Sequence, residues 1–242
     1  MRKSIAAVLM AASATVSACG HNRSESGGPT IARNYTVGNF DQVEVGGPFN
    51  VQVNTGANPS VSARGPQKVL EHMVVEVKDG KLVIRQERQD GLFRSIWHYR
   101  GTVDVTVTVP MLRGAAIAGS GDVKVNEVKG DEFDGSVAGS GGLDVGKLDV
   151  QTLKLSVAGS GAARALAGRA QSASLDIAGS GDIDTKGVQA QTADVSIAGS
   201  GNIAVNASST ASVSIMGSGD VDVSGGAKCS VSKAGSGNVN CS

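Results

Sequence analysis

From Arg113 to Ser242, apolar and polar residues alternate in short runs, and the whole pattern returns about every 20 residues. Gly-Ser-Gly begins at Gly119, Gly139, Gly159, Gly179, Gly199, Gly217 and Gly235, a spacing of 20 residues four times and then 18 twice. Two residues before the first glycine stand Ile117, Val137, Val157, Ile177, Ile197 and Ile215. Four residues after it stand Val123, Leu143, Ala163, Ile183, Ile203, Val221 and Val239. Alternation at period two on both sides of the turn predicts two β-strands per repeat, joined at Gly-Ser-Gly and closed by a looser return. β-branched residues dominate these positions, and helical spacing fits them badly. A fixed period near 20 residues predicts a solenoid whose coils hydrogen-bond to their neighbours at about 4.8 Å.

The outward positions support the same register. Five residues after the first glycine come Lys124, Asp144, Arg164, Asp184, Ala204 and Asp222. Stacked coils would place these one above another, and like charges directly opposite destabilise a sheet. The alternation of sign therefore reads as a parallel ladder. Asp144, Arg164 and Asp184 also suggest chemistry, because β-helix polysaccharide lyases use outward acids to hold calcium and an outward base to take a proton. Charge alternation for solubility and register explains the same residues, with Lys124 and Asp222 included. Carboxylates two coils apart are too widely spread to chelate one ion tightly without further ligands. The glycine-rich turn is no phosphate cradle, since that use needs a helix after the turn and here a strand follows.

Before the repeats, residues 34–112 are β-like but irregular. Val43/Val45 and Phe49/Val51/Val53 alternate around Gly46-Gly47. Val75/Val77 and Leu82/Ile84 flank Asp79-Gly80, a tight-hairpin signal. Val103, Val105, Val107 and Val109 form a strand closed by Pro110, and residues 66–73 suit one short helix. These segments are expected to be early coils of the same solenoid.

The combination resembles the autotransporter adhesin head, or GIN domain, family of extracytoplasmic β-helices. The resemblance runs from about Phe40 and is carried by "FDQVEVGGPFNVQV", by the hairpin-like "VEVKDGKLVI" and above all by the seven Gly-Ser-Gly turns. It implies an all-β fold, a parallel β-helix that is right-handed as parallel crossovers usually are. It also implies a role in adhesion or envelope contacts, without catalysis. An autotransporter carries a C-terminal membrane barrel, and no such segment precedes Ser242, so the family's name is expected to describe ancestry more than role.

The start of the chain bears on compartment. Met1-Arg2-Lys3 is basic, Ile5 to Val16 is a run of small and apolar residues, and Val16-Ser17-Ala18-Cys19 resembles the lipobox of bacterial lipoproteins. On that resemblance residues 1–18 are a signal peptide and Cys19 carries the lipid, with the outer membrane favoured because Gly20 is not an aspartate. A signal peptide cut after Ala18 to leave a free thiol is the alternative. Residues 19–33, polar and rich in glycine, then read as a flexible tether.

Of 22 basic residues the leader holds Arg2 and Lys3, leaving 20 against 22 acidic ones. That near-neutral balance gives no electrostatic footprint for nucleic acid. The histidines, His21, His72 and His98, are scattered, so neither a zinc site nor a Ser-His-Asp triad can be assembled, and no cofactor or metal is expected. Three of the chain's seven aromatics, Phe93, Trp97 and Tyr99, fall within residues 85–100 beside Arg94, His98 and Arg100. These six are a candidate contact surface for a glycan or protein partner; the competing reading has Phe93 and Trp97 covering apolar surface of the solenoid.

Cys229 and Cys241 sit six residues before and six after Gly235. The equivalent inward pairs are Phe133/Val145, Leu153/Ala165, Ala173/Thr185, Ala193/Val205 and Ala211/Val223. The register therefore faces the two cysteines across the last coil, where a disulfide would clip its end in an oxidising compartment. Two buried thiols are the alternative, because bridged Cα atoms lie within about 7 Å whereas facing sheets stand about 10 Å apart.

Overall fold

The computed structural model describes residues 28–87 and 102–242. The first part holds β1 (Thr30–Tyr35), β2 (Gln42–Gly46), β3 (Phe49–Thr55), β4 (Ser60–Pro66), α1 (Gln67–Glu71), β5 (Met73–Lys78), β6 (Lys81–Gln86) and β7 (Val103–Val109). The repeats form β8 (Gly114–Gly119), β9 (Asp122–Gly139), β10 (Gly142–Gly159), β11 (Ala162–Ala165), β12 (Gly168–Gly179) and β13 (Asp182–Gly199). They continue as β14 (Asn202–Gly217), β15 (Asp220–Ser224), β16 (Lys228–Gly235) and β17 (Val239–Cys241).

The repeats are parallel coils stacked in register. Leu143 of β10 lies opposite Val123 of β9 and Ala163 of β11, and Val157 lies between Val137 and Ile177. Each coil nevertheless carries three ladder segments, one more than the two strands and loose return expected from the sequence. On β10, pairing with β9 covers 142–145, 147–150 and 152–159. The buried side chains are Leu143/Val145, then Leu148/Val150, then Leu153/Leu155/Val157. At each corner, residues 146–147 and 151–152, two successive residues face outward. That resets the phase of the alternation, so a count begun at the Gly-Ser-Gly turn misreads the return. Burial of one such leucine contributes about 2 kcal/mol, which makes the stacked core the main stabilising term of each coil.

The two shorter coils lose their residues at the corners. Thr185 pairs with Val205 and Gln189 with Asn206, so three positions are dropped between first and second segments, and one is regained between Ala207 and Thr210. Thr185, a buried polar side chain in an otherwise apolar column, donates its hydroxyl to the Ala204 carbonyl at 3.2 Å.

In the first part, β2 and β3 do form a coil, but its partners come from distant sequence. Val45 lies opposite Ile117 of β8 on one side and Ile84 of β6 on the other. Val51 likewise lies between Val123 of β9 and Val105 of β7. The chain thus leaves its first coil, builds the outermost layer, and returns to stack β8 on the opposite side. β4 runs antiparallel on β7, β1 on β4, and β5 on β6, so this end is closed by antiparallel pairing. Asp79 and Gly80 both take positive φ (52° and 75°), as the predicted tight hairpin requires. α1 buries Val69 and Leu70 under the same end. β1 begins at Thr30, inside the stretch 19–33 read from sequence as a tether. It is tied down because Ile31 packs on the core and the strand pairs with β4 along its length.

At the other end no described coil stacks on β16 and β17. The inward column of Ile197 and Ile215 passes there to Lys233, whose ammonium donates to the Gly237 carbonyl at 2.7 Å. Cys229 and Cys241 are joined by a disulfide with Cα atoms 6.6 Å apart, so the facing segments approach more closely than separate sheets usually do. The bridge closes a 12-residue separation. Replacing both cysteines with serine is expected to cost the last coil about 3 kcal/mol. Hydrogen exchange should report it: amides of β16 and β17 lose protection while those around Leu153 keep theirs.

Candidate functional site

The Gly-Ser-Gly turns form a continuous backbone ladder. The Ser140 N–H donates to the Gly119 carbonyl at 2.9 Å, Ser160 to Gly139 at 2.9 Å and Ser180 to Gly159 at 2.8 Å, and the pattern continues to Ser236. The first glycine of each turn holds a positive φ, +122° at Gly159, and a Cβ added there would sit 2.5 Å from the Gly139 carbonyl oxygen. A Cβ on Gly161 would meet the Gly141 oxygen at the same distance. Both glycines are therefore imposed by the closeness of the coil beneath. The serine takes part through its amide, and its side chain is exposed. Nothing in this geometry activates the hydroxyl as a nucleophile.

The outward column expected from sequence is assembled as read. Lys124, Asp144, Arg164 and Asp184 stand opposite one another on successive coils. Arg164 Nη1 lies 3.6 Å from Asp144 Oδ1, with both side chains solvated. Asp184 accepts the Lys186 amide at 3.1 Å. The arginine is thus held by a counter-ion, which suits ladder register more than proton abstraction. Among the described residues no group of three or more His, Cys, Asp and Glu is placed to hold a metal ion.

Further along the same face, Asp182, Asp184, Asp220 and Asp222 share a shallow concavity with Asn202, Asn238 and Asn240. The amides damp the repulsion: Asn202 donates to Asp182 and Asn240 to Asp222, each at 2.9 Å. Lys186 reaches past short Ala204 to Asp222 at 2.5 Å. The Lys186 hydrogen bond, followed by that of Asn240, holds the Asp222 carboxyl below its ordinary pKa, and the Lys186 ammonium is raised above its own by the same contact. A carboxyl lowered in the folded state stabilises it above the unfolded pKa, and that contribution is lost as pH falls through the lowered value. The pair is exposed, so the effect on stability is small. In an NMR titration, Lys186→Met is expected to raise the Asp222 midpoint toward the usual carboxylate range. An unchanged midpoint would show that the ion pair does not persist in solution.

Cys19 and the aromatic segment containing Phe93, Arg94, Trp97, His98, Tyr99 and Arg100 lie outside the described residues. Sequence columns counted from the turn missed the outer side of the second ladder segment. Gln151, Gln171 and Gln191 occupy equivalent places there on successive coils, beyond a corner where the alternation changes phase.

Comparison with known proteins agrees with this architecture. None of the curated proteins compared with the chain matches it. A solved structure described as a "putative adhesin" from Bacteroides fragilis NCTC 9343 is 27% identical, with a TM-score of 0.78 over 88% of this chain and 96% of that one. A "Putative lipid binding protein" from Parabacteroides distasonis ATCC 8503 is 23% identical, with a TM-score of 0.69 over 90% and 98% of the two chains. A "putative adhesin" from Parabacteroides merdae ATCC 43184 is 18% identical, with a TM-score of 0.70 over 89% and 97%. The latter two share the fold. The model of the family described as "Putative auto-transporter adhesin, head GIN domain" matches residues 39–227, from just before β2 through β15. The chain belongs to this GIN domain family.

Proposed function

We propose that the chain is a non-catalytic adhesion module of the bacterial cell envelope, held to a membrane by lipid on Cys19 and contacting a protein or glycan partner. The observation that carries this reading is the solenoid itself. Its registered coils hold outward columns of short polar and charged side chains in fixed rows, a surface suited to many weak contacts in parallel. The shifted pKa values fit the same role: Glu132 with Lys154 on the next coil, and Asp222 with Lys186 two coils away, are exposed ion pairs that link coils. Such pairs tie a ladder together, whereas a poised catalytic acid is usually shifted by burial in a cleft. The adhesin description of the Bacteroides fragilis relative supports the reading.

The lipobox-like Val16-Ser17-Ala18-Cys19 supplies the anchor, and lipoprotein-type acylation would give the two or more chains that stable attachment needs. The test is a bacterial cell producing the full chain, labelled with palmitate. The wild type is expected to carry label, partition with the membrane fraction and increase attachment of the cells to a coated surface. Cys19→Ala is expected to lose label and membrane partition. An unlabelled wild-type chain would overturn the anchor; labelled, surface-exposed protein that leaves attachment unchanged would overturn the adhesion role.

A further inference from the structure

We propose that the groove along the second ladder segment binds a linear, uncharged polysaccharide; this rests on the binding role proposed above and names its ligand class. The groove is a concavity of about 700 Å³ running past six successive coils, from Gly130 to Gly225. At about 4.8 Å per coil it is about 24 Å long. One wall is the column Asp149, Arg169, Gln189 and Asn206, and the other is Gln151, Gln171 and Gln191. Between them the floor is the backbone at Val150, Ala170 and Ala190, whose side chains turn inward to the core and so leave the trough open along its length. The glycines at both ends leave it unblocked, so a long polymer can enter side-on without presenting a terminus.

The lining chemistry selects the ligand. A side-chain amide offers donors and an acceptor, and a sugar hydroxyl both donates and accepts, so rows of glutamine match rows of hydroxyls. Gln151 donates to Asp131 at 3.1 Å, whereas the exposed amides of Gln171, Gln189 and Gln191 make no side-chain hydrogen bond to the described residues. The two lining charges cancel, because Arg169 Nη2 lies 3.4 Å from Asp149 Oδ2. A polyanion would find no cationic row, and a polycation no acidic one. An extended peptide fits less well: the coils spend their backbone groups on one another, which leaves none in the groove for strand addition. The amide rows also repeat once per coil, a rise close to the length of one sugar residue. Successive sugars therefore meet equivalent groups.

The test uses the full chain and size series of soluble linear glucans, mannans and galactans, from dimers to octamers, measured by calorimetry. For one series, affinity is expected to rise at least tenfold between trimer and hexamer and then level off, as the oligomer comes to fill the groove. Gln171→Ala with Gln191→Ala is expected to weaken the hexamer at least tenfold while leaving the denaturation midpoint unchanged, since both side chains are exposed. Gln189→Ala, on the opposite wall, should weaken it as well.

Absence of binding across all three series would overturn the proposal. So would affinity unaffected by the glutamine changes, or preferential binding of polygalacturonate or of an extended peptide. Cell attachment that persists in the double variant after its glycan binding is lost overturns the groove's part in adhesion and leaves the envelope role standing. Glycan binding retained by cells that fail to attach would overturn the adhesion role alone.

Discussion

Gly159→Ala is expected to destabilise the solenoid by about 3–5 kcal/mol, at the severe end for a single methyl. Two effects combine. Gly159 sits at φ +122°, which an L side chain rarely adopts, and the new Cβ would lie 2.5 Å from the Gly139 carbonyl oxygen. That oxygen cannot withdraw, because it accepts the Ser160 and Gly161 amides, each at 2.9 Å. Relief requires neighbouring coils to separate, which breaks the ladder on both sides. Ser160→Ala is the informative partner, since it removes an exposed hydroxyl and keeps the amide that bonds to Gly139. It is expected to change stability by less than about 0.5 kcal/mol. Denaturant unfolding of both variants decides the matter. If Ser160→Ala costs as much as Gly159→Ala, the hydroxyl and not the backbone is what the turn requires.

The glycine columns also explain how much of the molecule was legible in sequence. Stacking at a fixed period writes the same physical demand into every copy: two glycines at each turn, and an apolar residue at equivalent positions, such as the series beginning Val123, Leu143 and Ala163. Those columns, the Asp79-Gly80 hairpin and the position of α1 could be read from local pattern alone. The second ladder segment could not be. Leu148 and Val150 lie beyond the corner at Gly146-Lys147, where two outward residues in a row shift the alternation. Because the segment went unread, so did the amide columns on its outer side. The order of the first coils was also out of reach: Val45 sits between Ile84 and Ile117, and nothing local to β2 specifies partners so far along the chain. The charge column was legible as a row of residues, while its meaning required geometry. Only the 3.6 Å approach of Arg164 to Asp144 distinguishes a paired ladder from an exposed base.

Phe133→Ala is expected to cost about 3–5 kcal/mol, the usual range for removing a large buried ring. Phe133 is fully buried and stacks beside Leu153 on the next coil. Two residues on, the inward column that elsewhere holds Leu155, Leu175 and Val195 carries Gly135. A Cβ at Gly135 would lie 2.6 Å from both Leu143 Cδ2 and Leu155 Cδ2, and 3.3 Å from Phe133 Cε1. The ring and its neighbouring leucines thus occupy the space that a side chain at 135 takes in other coils. Gly135→Ala alone should therefore be destabilising by overpacking. Once the ring is gone, Leu143 and Leu155 can swing into the vacated volume and make room for the methyl. The double variant is expected to be more stable than the two single costs imply, with a coupling of about 1 kcal/mol. A denaturant double-mutant cycle measures that coupling directly. Strict additivity would mean that Phe133 and Gly135 fill independent spaces, and that the glycine answers to some constraint other than the ring.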